Sequence, residues 1–173
     1  KKLFHENSNE LVLPRGYVFH IAPSNVDSIF LYSSLISFVC GNCNLIRVSQ
    51  SLNQQVQFVI NIINDLLDNE FLHFQDRMII FTYPHNQEIT QKISLSVDSR
   101  VIWGGDSTVN EIRQIPIKPS ANELAFPDRF SMSIINSEQI NKLEKKEFLD
   151  LISAFFNDIS WFSQQACSSP RLI

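Results

Sequence analysis

The chain has 173 residues, 44% of them hydrophobic and 18% charged, with 14 phenylalanines and a formal net charge of −4. That length suits one domain by size alone, and the apolar content can build a real core. The acidic balance leaves no basic footprint for nucleic acid, three cysteines do not make a disulfide framework, and no apolar run approaches the ~20 residues of a membrane span. The odd cysteine count, and a start (Lys1 to Glu6) without the apolar centre of a signal peptide, read most simply as a reduced, cytoplasmic setting.

Residues 1–13 read as a lead-in. Pro14-Arg15-Gly16 is a turn signal, and Tyr17 to Ile21 is a β-branched and aromatic run that predicts a buried strand. Ser28 is placed to cap a helix over Ile29 to Val39, apolar on nearly all sides and stopped by Gly41-Asn42. Leu45 to Val48 predicts the next strand. Val56, Val59, Ile60, Ile63 and Leu67 fall at helical spacing and give an amphipathic helix over 52–67. Met78 to Thr82 reads as a strand, Asn86 to Leu95 as a short helix and Arg100 to Trp103 as another strand. Gly104-Gly105 leads into a helix capped by Asp106 or Ser107 and running through Val109, Ile112 and Arg113. Pro116 and Pro119 mark an irregular crossover, Ser131 to Ile135 reads as a strand, and residues 141–161 are largely helical.

Strands alternating with helices predict an α/β fold, a doubly wound and mostly parallel sheet with right-handed crossovers. Ligands of such sheets sit at the carboxyl ends of the strands, and Asn25, Arg47-Val48-Ser49 and Gly104-Gly105-Asp106 all fall just past expected strand ends. The expected organisation is the lead-in over 1–13, a nucleotide-binding α/β domain over 14–136, and a helix with a cysteine turn over 137–173, the start of an incomplete catalytic domain.

Cys40-Gly41-Asn42-Cys43 has redox or zinc spacing, but no second pair exists and the four histidines show no metal spacing, so no metal is expected. Both cysteines are expected to pack as small apolar groups. There is no G-x-G-x-x-G. Trp103 to Val109 is nevertheless a strand, a glycine pair and a helix start, whose N–H groups suit a phosphate; an ordinary loop has the same pattern, and Asp106 would repel a phosphate set directly on it. Glu144-Lys145-Lys146-Glu147 is the solvated face of a helix. Cys167 follows the helical run Phe148 to Trp161 in a small polar turn, where backbone N–H groups can favour the thiolate; a buried structural cysteine is the alternative.

Gln164-Gln165-Ala166-Cys167-Ser168-Ser169-Pro170 resembles the nucleophile segment of the LuxC-type acyl-CoA reductases, a branch of the aldehyde dehydrogenase superfamily whose members carry a Gly-Gln-x-Cys turn there. Four more segments occur in family order. Ile21 to Val26 is similar to the Pro-x-Asn segment, whose Asn amide holds the substrate oxyanion. Gly41 to Ser49 is similar to a Gly-Asn-x-x-hydrophobic-Lys-x-Ser segment, with Arg47 in place of the Lys that binds the adenine ribose or its 2′-phosphate. Val101 to Asp106 resembles the segment under the cofactor's pyrophosphate and nicotinamide side. Ala125 to Ser131 resembles the Phe-Gly-x-Lys-x-Ser stretch.

The resemblance implies an aldehyde-dehydrogenase-like Rossmann-type sheet. It implies NADPH-dependent reduction of a fatty acyl thioester to the aldehyde through an S-acyl intermediate on Cys167, with Asn25 as oxyanion donor. NADP(H) would be held by Arg47, Ser49, Trp103, Gly104, Gly105, Asp106 and Val109. It further implies an acyl-CoA or acyl-protein substrate and acyl-activating or acyl-transferring partner proteins, and it leaves a homo-oligomer open. Some residues depart from the pattern. Ala125 stands where hydrolytic aldehyde dehydrogenases carry a glutamate base, with Glu123 close by; Pro127 replaces a glycine and Asp27 a proline. The family also extends well beyond its cysteine, whereas this chain ends soon after Cys167, so a fragment is expected. Two other readings remain: a catalytically incomplete nucleotide-binding or interaction module of the same fold, and a thiol hydrolase or acyltransferase that needs no nucleotide.

Overall fold

The computed structural model describes residues 13–22, 29–51, 54–160, 164, 166 and 168–172. The chain forms two compact units, Lys1–Pro127 and Asp128–Ile173. The first contains β1 (Tyr17–Ile21), α1 (Ile29–Val39), β2 (Cys43–Arg47), α2 (Gln54–Asn69), a 3-10 turn (Leu72–Arg77), β3 (Met78–Phe81), α3 (Gln87–Ser96), β4 (Ser99–Trp103), α4 (Asp106–Arg113) and β5 (Asn122–Phe126). Its strands form one five-stranded sheet in the order β3-β2-β1-β4-β5, with every pairing parallel. The fold is therefore α/β with a Rossmann-like sheet. The chain winds outward from β1 through β2 to β3, then returns to the other side of β1 to form β4 and β5. This places the topological switch point between β1 and β4.

Alternation of side chains sorts the sheet residues between two apolar layers. On one face Ile46 and Met78 pack with Phe30, Val56 and Ile60 of α1 and α2. On the other, Phe19, Ile21 and Ile102 pack with Val97 and with Val109 of α4. β1 is buried on both faces after Tyr17, as a central parallel strand should be. Two glycines set the entry and exit of this layer. Gly16 has φ +119°, and a Cβ there would collide with the Asp98 carboxylate, which accepts from the Tyr17 amide at 2.9 Å. Gly41 has φ +88° and ends α1, with its amide donating to Phe38 O at 2.8 Å and the Asn42 amide to Ser37 O at 3.2 Å. This is the helix stop that Gly41-Asn42 predicts. Cys40 is exposed and Cys43 half-buried, so Cys40 does not pack as the expected small apolar group.

The second unit contains β6 (Ser131–Met132), α5 (Ser137–Ile140), α6 (Lys145–Ser160) and β7 (Pro170–Leu172). Two elements differ from expectation. β5 occupies part of the stretch read as an irregular crossover. The strand expected over Ser131 to Ile135 shortens to two residues and pairs with β7. Register explains the second difference, because Ser131 finds its partner in Pro170 and not in the five-stranded sheet.

A candidate cofactor site at the carboxyl ends of the strands

Arg47 is the last residue of β2 and points toward α3 and α4. It lines a cavity of about 260 Å3 together with Ile21, Tyr83, Asn86, Thr108 and Glu111. Its guanidinium lies 5.2 Å from the centre of the Tyr83 ring, and Nη2 donates to Tyr83 O at a long 3.4 Å. Tyr83 is braced in turn by a 2.9 Å hydrogen bond between its hydroxyl and Thr90 Oγ1, and Thr90 Oγ1 donates to Asn86 O at 2.9 Å. Arg47 Nε is buried and has no hydrogen-bond partner among the described residues. A buried donor without a partner is costly, and the guanidinium that borders the cavity is suited to an anionic oxygen there. Glu111, at the same cavity, is an acceptor suited to sugar hydroxyls. The chemistry of these donors and acceptors fits a nucleotide.

The glycine pair lies at the neighbouring strand end. Gly104 N donates to Phe126 O at 3.4 Å, and a Cβ at Gly104 would come within 3.2 Å of the Thr108 side chain. Gly105, and not Asp106 or Ser107, takes the N-cap position of α4 and supplies no side-chain cap; Asp106 falls in the first turn, exposed. The first-turn N–H groups of α4 therefore receive no side-chain oxygen. Val109 is buried beneath, 3% exposed, in the layer with Phe19 and Ile102. Ser49 follows β2, half-buried, and its hydroxyl accepts from the Ser51 amide at 3.3 Å.

Trp103 belongs to the opposite face. Its ring stacks on Phe126 with centroids 4.0 Å apart, and Nε1 donates to Ser33 Oγ at 3.2 Å. Ser33 Oγ is 3.1 Å from His20 Nδ1, and His20 Nε2 is 2.9 Å from Asn44 Oδ1. The Asn44 amide nitrogen donates to Asn42 O and Arg77 O, which fixes Oδ1 as an acceptor. His20 therefore carries its proton on Nε2, and Ser33 donates to Nδ1. Burial lowers the His20 pKa from 6.5 to about 4, against the raising effect of the Asn44 bond.

Structure thus brings Arg47 to a cavity that Thr108, Glu111 and Ile112 of α4 border, leaves Ser49, Gly104, Gly105, Asp106 and Val109 outside that lining, and holds Trp103 on the far side of the sheet. The remaining two site residues expected from sequence, Asn25 and Cys167, lie outside the described residues, as does Ser28. Glu123 is engaged elsewhere. It accepts from Arg100 Nε at 2.7 Å, from Arg100 Nη2, and from Arg113 Nε at 3.0 Å, while Arg100 Nη1 donates to Ser94 Oγ at 3.0 Å. Its carboxylate is the counter-charge of a buried arginine and is not free to serve as a base. Ala125 packs against the apolar layer beside Ile102. Among the described residues no three His, Cys, Asp or Glu side chains are grouped to hold a metal, and no helix is long and apolar enough to cross a membrane. Sequence reading missed Tyr83, Glu111 and the His20–Ser33 pair; the only signal for Glu111 was its place on the helix that follows the glycine pair.

A five-stranded parallel sheet with helices on both faces and a cavity past its strand ends defines a Rossmann-like α/β fold. Solved structures show the same architecture. A protein assigned as an aldehyde dehydrogenase, PutA, from Anabaena variabilis superposes with a TM-score of 0.69 at 15% identity, over 92% of this chain and 32% of its own length. One assigned the same activity, from Burkholderia cenocepacia, gives 0.64 at 15% identity, over 91% and 31%. Proline utilization A (PutA), solved with proline bound in remote sites, gives 0.62 at 18%, over 92% and 16%. The chain thus spans about a third or less of these proteins. No curated protein matches it. The family model for acyl-CoA reductase (LuxC) matches residues 3–173, and the chain belongs to that family of oxidoreductases.

Proposed function

We propose that the protein reduces a fatty acyl thioester to the aldehyde with NADPH, through an S-acyl intermediate on Cys167. The observation that carries this reading is the Arg47 guanidinium at the wall of a cavity of about 260 Å3 past the strand ends, in a chain of the acyl-CoA reductase family. Arg47 and Ser49 would hold the 2′-phosphate, since a guanidinium matches phosphate oxygens in a fork. Glu111 would accept from ribose hydroxyls, and the open first turn of α4 would meet the pyrophosphate. When bound, NADPH supplies the hydride.

The chain's own residues do the rest. The Cys167 thiolate attacks the acyl carbonyl carbon; a carbon–sulfur bond forms, and the CoA thiolate leaves. The Asn25 amide donates to the oxyanion that develops, a contact worth about 3 kcal/mol in such sites. Ala125 supplies no base to activate water, and Glu123 is committed to Arg100 and Arg113. The acyl group is thereby kept for reduction. Acyl-activating or acyl-transferring proteins are the partners this chemistry calls for, and two free cysteines, Cys40 and Cys43, suit a reducing compartment such as the cytoplasm.

The test is intact-mass spectrometry after incubation with tetradecanoyl-CoA, beside Cys167→Ala, and then with NADPH. The expected result is an acyl adduct that requires Cys167 and is discharged as aldehyde by NADPH. An adduct indifferent to NADPH would make the protein a thiol acyltransferase or hydrolase. A second reading is a nucleotide-binding module of the same fold that does not itself carry out acyl transfer; NADPH binding with no adduct would establish it.

A further inference from the structure

We infer that Tyr83 is a positioning residue that gives the protein a preference for NADPH over NADH: its ring and its carbonyl hold the Arg47 guanidinium where it meets the 2′-phosphate. This rests on the cofactor reading above and names the group that makes Arg47 selective. Tyr83 lies two residues past β3, and Arg47 stands opposite Phe81, the last residue of that strand. The two strands stay tied beyond their ends, since Val48 N donates to Phe81 O at 3.0 Å and Thr82 Oγ1 donates to Val48 O at 3.1 Å. The Tyr83 backbone is thereby fixed beside the arginine.

The ring is fixed as well. Tyr83 is 9% exposed and lies nearly parallel to Phe81, at 15° with centroids 6.0 Å apart; Phe81 in turn lies at 8° to the fully buried Phe19. The single proton of Thr90 Oγ1 goes to Asn86 O, so in the 2.9 Å contact between the two hydroxyls Tyr83 donates and Thr90 accepts. Asn86 caps α3, its side chain accepting from Ile89 N at 3.0 Å. A ladder of rings and the start of α3 together set the angle of the phenol.

Arginine has one of the largest rotamer freedoms of any side chain, and a group held in place before its ligand arrives loses less of that freedom on binding. The hydrogen bond from Arg47 Nη2 to Tyr83 O is long, 3.4 Å, and does not fix the guanidinium alone. The ring supplies the rest, with the guanidinium carbon 5.2 Å from its centre, within the range of a cation–π contact. The choice of cofactor then follows from what else borders the cavity. Glu111 on α4 is an acceptor that suits the 2′-hydroxyl of NADH and would repel the 2′-phosphate of NADPH. A loosely held Arg47 would leave the acid to decide. A fixed one presents its planar fork to the phosphate.

The test measures NADPH and NADH dissociation constants by nicotinamide fluorescence for the parent chain, Tyr83→Leu, Tyr83→Phe and Thr90→Val. Proton–nitrogen correlation spectra of the unliganded proteins accompany it, with Arg47→Lys identifying the Arg47 Nε–H signal. In the parent that signal should be shifted upfield by the Tyr83 ring current, and in Tyr83→Leu it should return to the ordinary arginine position. Tyr83→Leu should narrow the preference for NADPH by roughly fivefold to tenfold. Tyr83→Phe keeps the ring and loses only its tether, and Thr90→Val removes the same tether from the other end; each should narrow the preference by roughly twofold. A purely structural role would weaken both cofactors by the same factor. Equal weakening, an unchanged preference in Tyr83→Leu, or an unshifted signal in the parent would each overturn the inference while leaving Arg47 as the phosphate ligand. If Tyr83→Leu does not fold, an unchanged preference in both Tyr83→Phe and Thr90→Val overturns it. Equal binding of NADH and NADPH by the parent would instead sink the reading of Arg47 itself, and the inference with it.

Discussion

His20 is a histidine kept neutral by its surroundings. It is 1% exposed, and burial holds its pKa near 4 where the unfolded chain titrates near 6.5. Between those values the unfolded chain binds a proton that the folded chain refuses. Stability is therefore full above about pH 7, falls as pH drops through the interval, and levels off below about 4, a change of about 3 kcal/mol if the whole shift is expressed. Urea denaturation between about pH 7 and about pH 4.5 should show that loss. In His20→Gln the component should vanish, while the other histidines and the carboxylates contribute equally to both proteins. An unchanged pH slope in the variant would mean that His20 does not titrate with folding. Nothing in the strand Tyr17–Ile21 announces this network, since its members stand 13 and 24 residues away in Ser33 and Asn44. The place of Arg47 at a strand end is readable for the opposite reason, since it lies in a short apolar run inside a segment with a family pattern. Tyr83 and Glu111 had no pattern of their own, and only packing brings them to the same cavity.

Among the elements, the edge strand β5 is the instructive case. Its sequence, Asn122-Glu123-Leu124-Ala125-Phe126, mixes a charge with apolar residues, and sequence reading passed over it. The charge is what fastens the strand: Glu123 lies opposite Arg100 of β4 in register and also takes Arg113 at the end of α4. Arg100 is 1% exposed and Glu123 14%, so the pair is sheltered from solvent. Removing one partner leaves a buried charge uncompensated. Glu123→Ala should cost about 3 kcal/mol in chemical denaturation, with early loss of hydrogen-exchange protection in β5. Glu123→Gln, which keeps a hydrogen-bond acceptor, should cost less. A change below about 0.5 kcal/mol for Glu123→Ala would show that Arg100 is not left as an uncompensated buried charge and would overturn this account of the strand. The buried strands β1 and β4 were readable because parallel central strands are runs of apolar and β-branched residues. An edge strand held by a cross-strand ion pair carries no such run. Ser131 to Ile135 failed differently: it has strand-like residues, but its partner in β7 comes from near the chain's end and pairs over only two residues.

At the scale of the whole molecule, alternating strands and helices together with the handedness of crossovers prune the topologies to a few, and the observed order β3-β2-β1-β4-β5 is one of them. That order puts the Arg47 cavity and the Trp103–Phe126 stack on opposite faces near the same ends of the strands. One consequence is that cofactor binding can be tested apart from acylation. A nucleotide that binds only the folded chain stabilises it by about 2.7 kcal/mol at a hundred times its dissociation constant. On the proposed role of Arg47 as the 2′-phosphate ligand, NADPH should raise the melting temperature more than NADH at equal concentration. Arg47→Ser should abolish the difference and leave stabilisation by either cofactor similar and small. Arg47→Lys should fall between, keeping the charge but losing the planar fork that matches phosphate oxygens. Equal stabilisation of the parent chain by NADH and NADPH would remove the 2′-phosphate from Arg47, and no stabilisation by either would remove the nucleotide from this cavity altogether.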